Sequence, residues 1–181
     1  MQELRPGLWT WTAPHPERRE ADDWGPDVRS YAYDSGSHLV LFDPIAPPTL
    51  LEGLLEAQDV AVLLTAEWHR RSADECIERF GAHVYAPGDE PPARVDLLPT
   101  YYDEEVAYWI PTHRALVAGD FLFGENGFRV QDQWLPPNVT REQMHAGLQP
   151  LRDLPVELVL VTHGDPVTED AYETLRAAIK T

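Results

Sequence analysis

The sequence contains a single cysteine, Cys76, and few basic residues. One thiol excludes a disulfide within the chain. The 14 lysines and arginines are outnumbered by 31 aspartates and glutamates, so the formal net charge is −17. Such a field repels phosphate backbones and anionic lipid headgroups. We therefore expect neither a nucleic acid nor a membrane surface as a partner.

Long apolar runs are also missing. No stretch approaches the roughly 20 residues that a membrane-spanning helix needs. The first residues, MQELRPGLWTW, lack the basic segment and apolar core of a signal peptide. These features predict a soluble, cytoplasmic protein. The G-x-S-x-G elbow, the P-loop and the dinucleotide-binding fingerprint are absent as well, so the sequence gives no support to those enzyme classes.

The order of apolar segments predicts mixed sheets covered by helices. Residues 1–181 fit one domain, which at this size buries roughly 70% of its unfolded surface. The strands VRSYAYD and SHLVLFD flank a turn at residues 34–36 and predict a β-hairpin. Residues 60–86 predict a parallel βαβ unit, and EEVAYWIP with RALVAGD predicts another hairpin. Hairpins interleaved with βα units are typical of mixed sheets.

Local signals place the helix ends and one long loop. Ser72 with Glu75, and Thr140 with Gln143, have capping-box spacing, which predicts a helix start at each place. The prolines and charges of residues 12–27 break both helical and strand periodicity. We expect this segment to be a surface loop that lies over another part of the molecule, with Trp24 as its anchor.

Four predicted strands end in a side chain that can bind a metal or move a proton. Asp43 ends LVLFD, His69 follows VLLT, Asp120 ends LVAGD, and His163 lies in LVLVTHGD. The carboxyl ends of strands are where α/β sheets gather ligands. Four such endings predict a shared cleft.

These segments, in this order and spacing, resemble the metallo-β-lactamase superfamily over nearly the entire chain. The motifs are LVLFDP, VLLT followed by a short loop and helix, LVAGDFLF and LVLVTHGDPV. The resemblance implies a four-layer αββα sandwich of two mixed β-sheets flanked by helices, with the active site along the shared edge of the sheets. It also implies a dinuclear zinc, iron or manganese centre that activates water for hydrolysis.

The main metal-binding loop of that family, T-H-x-H-x-D-H, has lost its ligands in this chain. Reading from Thr65, the four ligand positions hold Ala66, Trp68, Arg70 and Arg71. Tyr101 stands near the place of the next family histidine. Asp120 and His163 match the two remaining ligand positions, the bridging carboxylate and the last histidine.

The sequence therefore predicts a degenerate site without a dinuclear centre and without any metal cofactor. Catalytic zinc is generally held by about three protein ligands. The alternative is a single zinc or iron ion held by Asp120, His163 and His69, the last of which occupies a spacer position in the family motif. Arginine beside a divalent cation is repulsive, since two unit charges 4 Å apart at a dielectric of about 20 already repel by about 4 kcal/mol. We expect Arg71 to replace the missing cation by pairing with Asp120.

Several candidate residues also have ordinary structural interpretations. His69 is expected to be a hydrogen-bonded loop histidine before it is a ligand. Asp43, which precedes Pro44, is expected to form a turn. His15 is expected to be a surface group, and Cys76 a small buried side chain of a helix.

Three hypotheses for function follow. The first is a hydrolase-like fold that binds a small anion, or acts without a metal, through Arg70, Arg71, Trp68 and Tyr101. The second is a mononuclear metallohydrolase of an ester, thioester or phosphoester. The third is acid-base catalysis by His163 with Asp165 or Asp120. The candidate catalytic residues are therefore His163, Asp120 and His69, and the expected partner is a small molecule.

Overall fold

The computed structural model describes residues 1–92 and 94–179. Its strands, in chain order, are β1 (Gln2–Arg5), β2 (Leu8–Pro14), β3 (Asp27–Asp34), β4 (His38–Phe42), β5 (Asp59–Leu63), β6 (His83–Tyr85), β7 (Asp96–Tyr102), β8 (Glu105–Ile110), β9 (Ala115–Val117), β10 (Leu122–Phe123), β11 (Arg129–Val130) and β12 (Leu158–Leu160). Its α-helices are α1 (Glu52–Ala57), α2 (Ala73–Phe80), α3 (Arg141–Arg152) and α4 (Ala171–Ala178).

The first sheet has the order β1-β2-β3-β4-β5-β6. Strands β1 to β4 are joined as antiparallel neighbours, whereas β4, β5 and β6 run parallel. The predicted hairpin at residues 34–36 and the predicted βαβ unit, β5-α2-β6, are both confirmed.

The second sheet has the order β12-β9-β8-β7. The pairs β7-β8 and β8-β9 are antiparallel, and β12 joins β9 in parallel. The hairpin predicted from EEVAYWIP and RALVAGD is therefore confirmed as β8-β9. Strands β10 and β11 form a separate small hairpin.

Alternation along the first sheet divides its side chains between two apolar layers. Val40 and Phe42 of β4 point into the layer between the sheets. Leu39 and Leu41 of the same strand join α1 and α2 in an outer layer, where Cys76 is fully buried. This is the period-two pattern of a strand covered on both faces.

The second sheet repeats this division. Val117 and Leu160 face the layer between the sheets. Leu116 and Val159 face α3 and α4 and pack in the second outer layer. Three apolar layers separate helix, sheet, sheet and helix, so the predicted four-layer αββα sandwich is confirmed.

One of the two predicted capping boxes is present in the structure. Thr140 and Gln143 form the predicted capping box of α3, with both reciprocal hydrogen bonds present. Ser72 does not cap α2, because its hydroxyl instead accepts from the backbone N–H of Ala46 at 3.0 Å. Gly81 ends α2 in the left-handed conformation, as expected. None of the helices within the described residues has the length and apolar character needed to cross a bilayer.

Candidate functional site

The four predicted strand ends meet at one edge of the two sheets. Asp43 follows β4, and Asp120 and His163 follow β9 and β12. His69 closes the 3-10 turn Glu67–His69, which begins four residues after the end of β5. Parallel pairing of β4 with β5, and of β9 with β12, places their carboxyl ends side by side. The cleft predicted from the sequence is therefore present as a cluster of contacting side chains.

His69 is the centre of this cluster. Its Nδ1 lies 3.1 Å from Asp43 Oδ2, and its Nε2 lies 3.2 Å from Asp120 Oδ1. His69 and Asp43 are each only 3% exposed. Because both ring nitrogens meet acceptor oxygens, the geometry favours the doubly protonated imidazolium. Burial lowers the pKa of His69, but Asp120 and Asp43 outweigh that effect and raise the pKa to about 9.

Asp43 is therefore more than a turn residue. Its carboxylate accepts from the backbone N–H of Thr65 at 2.8 Å and from the Thr65 hydroxyl. The Thr65 oxygen lies 3.0 Å from His69 Nδ1. Asp43 has a positive φ of 45°, so its backbone turns sharply at the end of β4. The loop histidine expected at position 69 is hydrogen-bonded, as predicted, and its partner is the carboxylate that the sequence assigned to a turn.

Three donor groups surround Asp120, and among the described residues only the indole of Trp68 makes a hydrogen bond to it. His163 Nε2 lies 3.4 Å from Oδ1, the oxygen that His69 also approaches. The indole N–H of Trp68 donates to Oδ2 at 2.9 Å. Burial alone would raise the pKa of Asp120, but His69 and His163 hold it well below its usual range. Asp120 is thus a carboxylate that the protein neutralises with its own side chains.

Arg71 does not pair with Asp120, so the prediction that it replaces the missing cation is wrong. Its Nη1 donates to the backbone carbonyl of Asp43 at 3.0 Å. His69 occupies the place beside Asp120 that Arg71 was expected to fill. Arg71 adopts a positive φ of 38° and lies largely buried in the cleft. Its Nε has no hydrogen-bond partner in the part of the chain that the structure describes. Burial lowers its pKa below the usual arginine value.

Arg70 and Tyr101 do not join Arg71. Arg70 is exposed and pairs with Asp74 one turn along α2, with Nε 3.0 Å from Oδ1. Tyr101 donates its hydroxyl to Glu105 at 2.8 Å and lines a smaller cavity of about 190 Å³. Of the four side chains expected to bind a ligand, the structure brings two, Trp68 and Arg71, to the cavity that opens over the His69 cluster.

The cavity that opens over the His69 cluster, called the main cavity below, has a volume of about 370 Å³. Its wall combines three tryptophans, four carboxylates, three histidines, one arginine and one valine: Trp24, Trp68, Trp134, Glu17, Asp22, Asp23, Asp120, His15, His69, His163, Arg71 and Val28. Residues between 15 and 24 line the cavity, as expected of the loop, whereas the two ends of the predicted loop 12–27 belong to β2 and β3.

Aromatic rings surround His163. The ring of Trp24 lies 5.0 Å from the imidazole, that of Phe123 5.1 Å, and that of Trp134 5.5 Å, measured between centroids. Trp24 is thus the anchor predicted for its loop. His15 packs edge-on against Trp24 at 5.4 Å and lines the cavity, so it is not the ordinary surface group expected from the sequence.

Glu105 was not identified from the sequence. It is 1% exposed and accepts from the hydroxyl of Tyr101 and from the backbone N–H of Phe121 at 3.0 Å. Burial, and then the charge of Asp120, raise the pKa of Glu105 to about 7. A Cβ on Gly119 would lie 2.7 Å from its carboxylate, so the glycine of LVAGD makes room for this acid. The only available sequence signal was a glutamate at the start of a strand that is otherwise apolar.

The third hypothesis needs a contact between His163 and an aspartate. His163 Nε2 faces Asp120 Oδ1, as given above, whereas Asp165 is bound to Arg29 at 2.7 Å. The buried Nδ1 of His163 has no hydrogen-bond partner among the described residues. The geometry thus offers Asp120 and not Asp165 for an acid-base pair.

The dinuclear centre implied by the family resemblance does not fit these residues. Across residues 1–92 and 94–179, no group of three or more histidine, cysteine, aspartate and glutamate side chains is arranged to hold a metal ion. A metal-binding histidine needs a free nitrogen lone pair. Both nitrogens of His69 are directed at carboxylates, and Trp68 engages the second oxygen of Asp120.

Comparison with solved structures identifies the fold. DIM-1 metallo-β-lactamase is 11% identical over 98% of this chain and 94% of its own, with a TM-score of 0.68. A metallo-β-lactamase from Erythrobacter litoralis is 12% identical over 98% and 94%, with a TM-score of 0.66. TTHA1623, solved in a di-iron-bound form, is 23% identical over 82% and 94%, with a TM-score of 0.60.

The chain therefore has the metallo-β-lactamase fold, a hydrolase-like fold, and the resemblance drawn from its sequence is confirmed at that level. No protein-family profile matches the chain, and no curated protein matches it by sequence.

Proposed function

We propose that this protein is a metal-independent binding module on a hydrolase-like scaffold, and that its cleft binds the anionic group of a small molecule. One observation carries this proposal: the guanidinium of Arg71 lines the main cavity, is largely buried, and makes a single hydrogen bond within residues 1–92 and 94–179. A guanidinium carries five N–H donors. The unused donors are available to a carboxylate or phosphate.

The nearby protein carboxylates support this assignment because side chains other than Arg71 already contact them. Asp43 accepts hydrogen bonds from Thr65, and Asp120 Oδ2 accepts one from Trp68. The Nε2 atoms of His69 and His163 lie 3.2 and 3.4 Å from Asp120 Oδ1, which makes no hydrogen bond among the described residues. A buried charge without compensating hydrogen bonds is costly. A ligand anion in the cavity would supply the acceptors that Arg71 lacks.

The cluster around His69 supports the proposal that the protein needs no metal ion. An imidazolium between two carboxylates provides the positive charge that a metal ion would otherwise provide next to Asp120. The site is thus charge-balanced by the chain itself. A degenerate metal site in which His69 has taken the cation's place is the interpretation that we propose.

A mononuclear metallohydrolase is the second candidate, because the Nε2 atoms of His69 and His163 both approach Asp120 Oδ1. In that case His69 must lose its proton and leave Asp120. Elemental analysis of protein purified without chelators separates the two candidates. Our proposal expects substoichiometric zinc and iron, and one tightly bound ion per chain would favour the second.

Thermal denaturation with acetate, butyrate and inorganic phosphate tests anion binding. An anion at 100 times its Kd stabilises the folded state by about 2.7 kcal/mol. We expect Arg71→Met to abolish that stabilisation and Arg70→Met, at the exposed neighbouring arginine, to preserve it. If no anion stabilises the wild-type protein, or if the Arg71→Met protein responds equally, the proposal is wrong.

A further inference from the structure

We infer that the ligand of the main cavity is a small zwitterion, with its anionic group at Arg71 and a cationic ammonium group among the tryptophans and carboxylates of the cavity rim. This inference rests on the proposed function, because it takes Arg71 as the anion contact. It adds the chemistry of the other end of the ligand.

The charges of the cavity differ between its base and its rim. Arg71 provides a positive group at the base. Glu17, Asp22 and Asp23 all come from the loop between β2 and β3 and add three carboxylates to the same wall. A simple anion that enters the cavity meets these carboxylates, which repel it because like charges line the same small space.

A zwitterion avoids this repulsion because its cationic group faces the acidic rim while its anionic group reaches Arg71. The net charge of −17 acts in the same direction, since it lowers the local concentration of free anions and raises that of cations. The acidic rim alone would not define a ligand. The buried guanidinium with unused donors, in the same cavity, is the independent observation that indicates one.

The tryptophans supply the second part of an ammonium site. Trp68 is 49% exposed although its indole N–H is fixed on Asp120, so a large aromatic surface is held in place and left open. Trp134 donates its indole N–H to Asp23 at 3.2 Å, which joins an aromatic ring to a carboxylate at the rim. Indole faces attract ammonium groups, and most strongly those that are poorly hydrated.

The size of the cavity restricts the ligand to a small molecule. A volume of about 370 Å³ is near the lower end of ligand pockets, which run from about 300 to 1,000 Å³. A short aliphatic spacer between a carboxylate and an ammonium or trimethylammonium group suits this space.

Matched probes test the inference by calorimetry: 4-aminobutyrate and 4-(trimethylammonio)butyrate as zwitterions, butyrate as the anion alone, and butylamine as the cation alone. We expect both zwitterions to bind at least about tenfold more tightly than butyrate or butylamine. Equal affinity for butyrate and the zwitterions would overturn the inference and leave the proposed anion site intact. No binding by any probe would contradict both proposals.

Two isosteric rim variants locate the cationic contact. Asp23→Asn removes a charge but keeps an oxygen that can accept from Trp134, and Asp22→Asn removes the neighbouring charge. We expect the protein that carries both substitutions to bind the zwitterions about tenfold more weakly, and to bind butyrate with unchanged or slightly higher affinity. Asp103→Asn, at an exposed carboxylate outside the cavity, is the matched control. Equal weakening of butyrate and the zwitterions in the rim variant would contradict the placement of the ammonium group.

Discussion

The charge of His69 makes a quantitative prediction for stability against pH. Burial lowers the pKa of His69, but its two carboxylate neighbours raise it from 6.5 to about 9 in the folded protein. Below pH 6.5 the histidine is protonated in both the folded and the unfolded chain, so its stabilising contribution is fully present. As the pH rises towards 9, the folded protein keeps a proton that the unfolded chain has lost, and the contribution declines to zero.

The size of this effect follows from the difference between the two pKa values. A change from 6.5 to about 9 corresponds to about 3 kcal/mol of unfolding free energy, with no large reduction for solvent screening because the side chain is 4% exposed. Urea denaturation at intervals from pH 6 to pH 10 should show this decline. Other groups titrate at alkaline pH, so the comparison that matters is with His69→Gln, whose unfolding free energy should decline less steeply between pH 6.5 and 9.

A direct observation of the ring completes this test. The NMR signals of the His69 imidazole should remain those of the protonated form at pH 8. His83→Gln, at an exposed strand histidine, is the control and should retain the full pH dependence of the wild-type protein. A His69 signal that titrates near pH 6.5, or a His69→Gln protein with the wild-type slope, would refute the imidazolium.

Three further predictions concern Glu105, the packing of α3 and a glycine of α1. Burial, and then the charge of Asp120, raise the pKa of Glu105, so the free energy of unfolding should decline as the pH rises from 4.5 to about 7. In urea denaturation, Glu105→Gln should remove up to about 3 kcal/mol of that decline. Gly147→Ala should cost about 1–3 kcal/mol by thermal denaturation, because its Cβ would lie 2.7 Å from the Cα of Tyr101. Gly53→Ala, in a helix with open space around it, should instead gain about 0.5–1 kcal/mol.

The fold could be predicted because its determinants are local. Alternating apolar residues define the strands, and hairpin turns and βα spacing define which strands pair. The cluster of Asp43, His69, Asp120 and His163 also followed from sequence, since each residue ends a strand and strand ends converge. These features depend on period and order, which a sequence records directly.

The partner of Asp120 could not be predicted because it depends on the shape of one short loop. A 3-10 turn at Glu67–His69 directs the imidazole into the cluster, although His69 occupies a spacer position in the family motif. Arg70 turns to solvent and Arg71 turns inward at a positive φ, so two adjacent arginines have opposite environments. Motif alignment assumes a fixed loop conformation, and the 3-10 turn directs a spacer residue into the cluster.

Contacts between segments that are distant along the chain could not be predicted from the sequence either. Trp134 meets Asp23 across 111 positions of the chain, and neither residue belongs to a strand or helix. Glu105 is buried only because β8 places it beneath Tyr101 and next to Phe121. No periodic pattern marks such contacts, since they arise from the packing of loops over the sheet edge.

Zinc titration of metal-free protein, followed by calorimetry and by the NMR signals of His69, tests the central claim most directly. If His69 has taken the place of the metal ion beside Asp120, zinc should bind weakly or not at all near neutral pH, and the imidazolium signals should not change. Tight binding of one zinc ion per chain, with release of the His69 proton, would contradict the claim and establish the site as a metal centre.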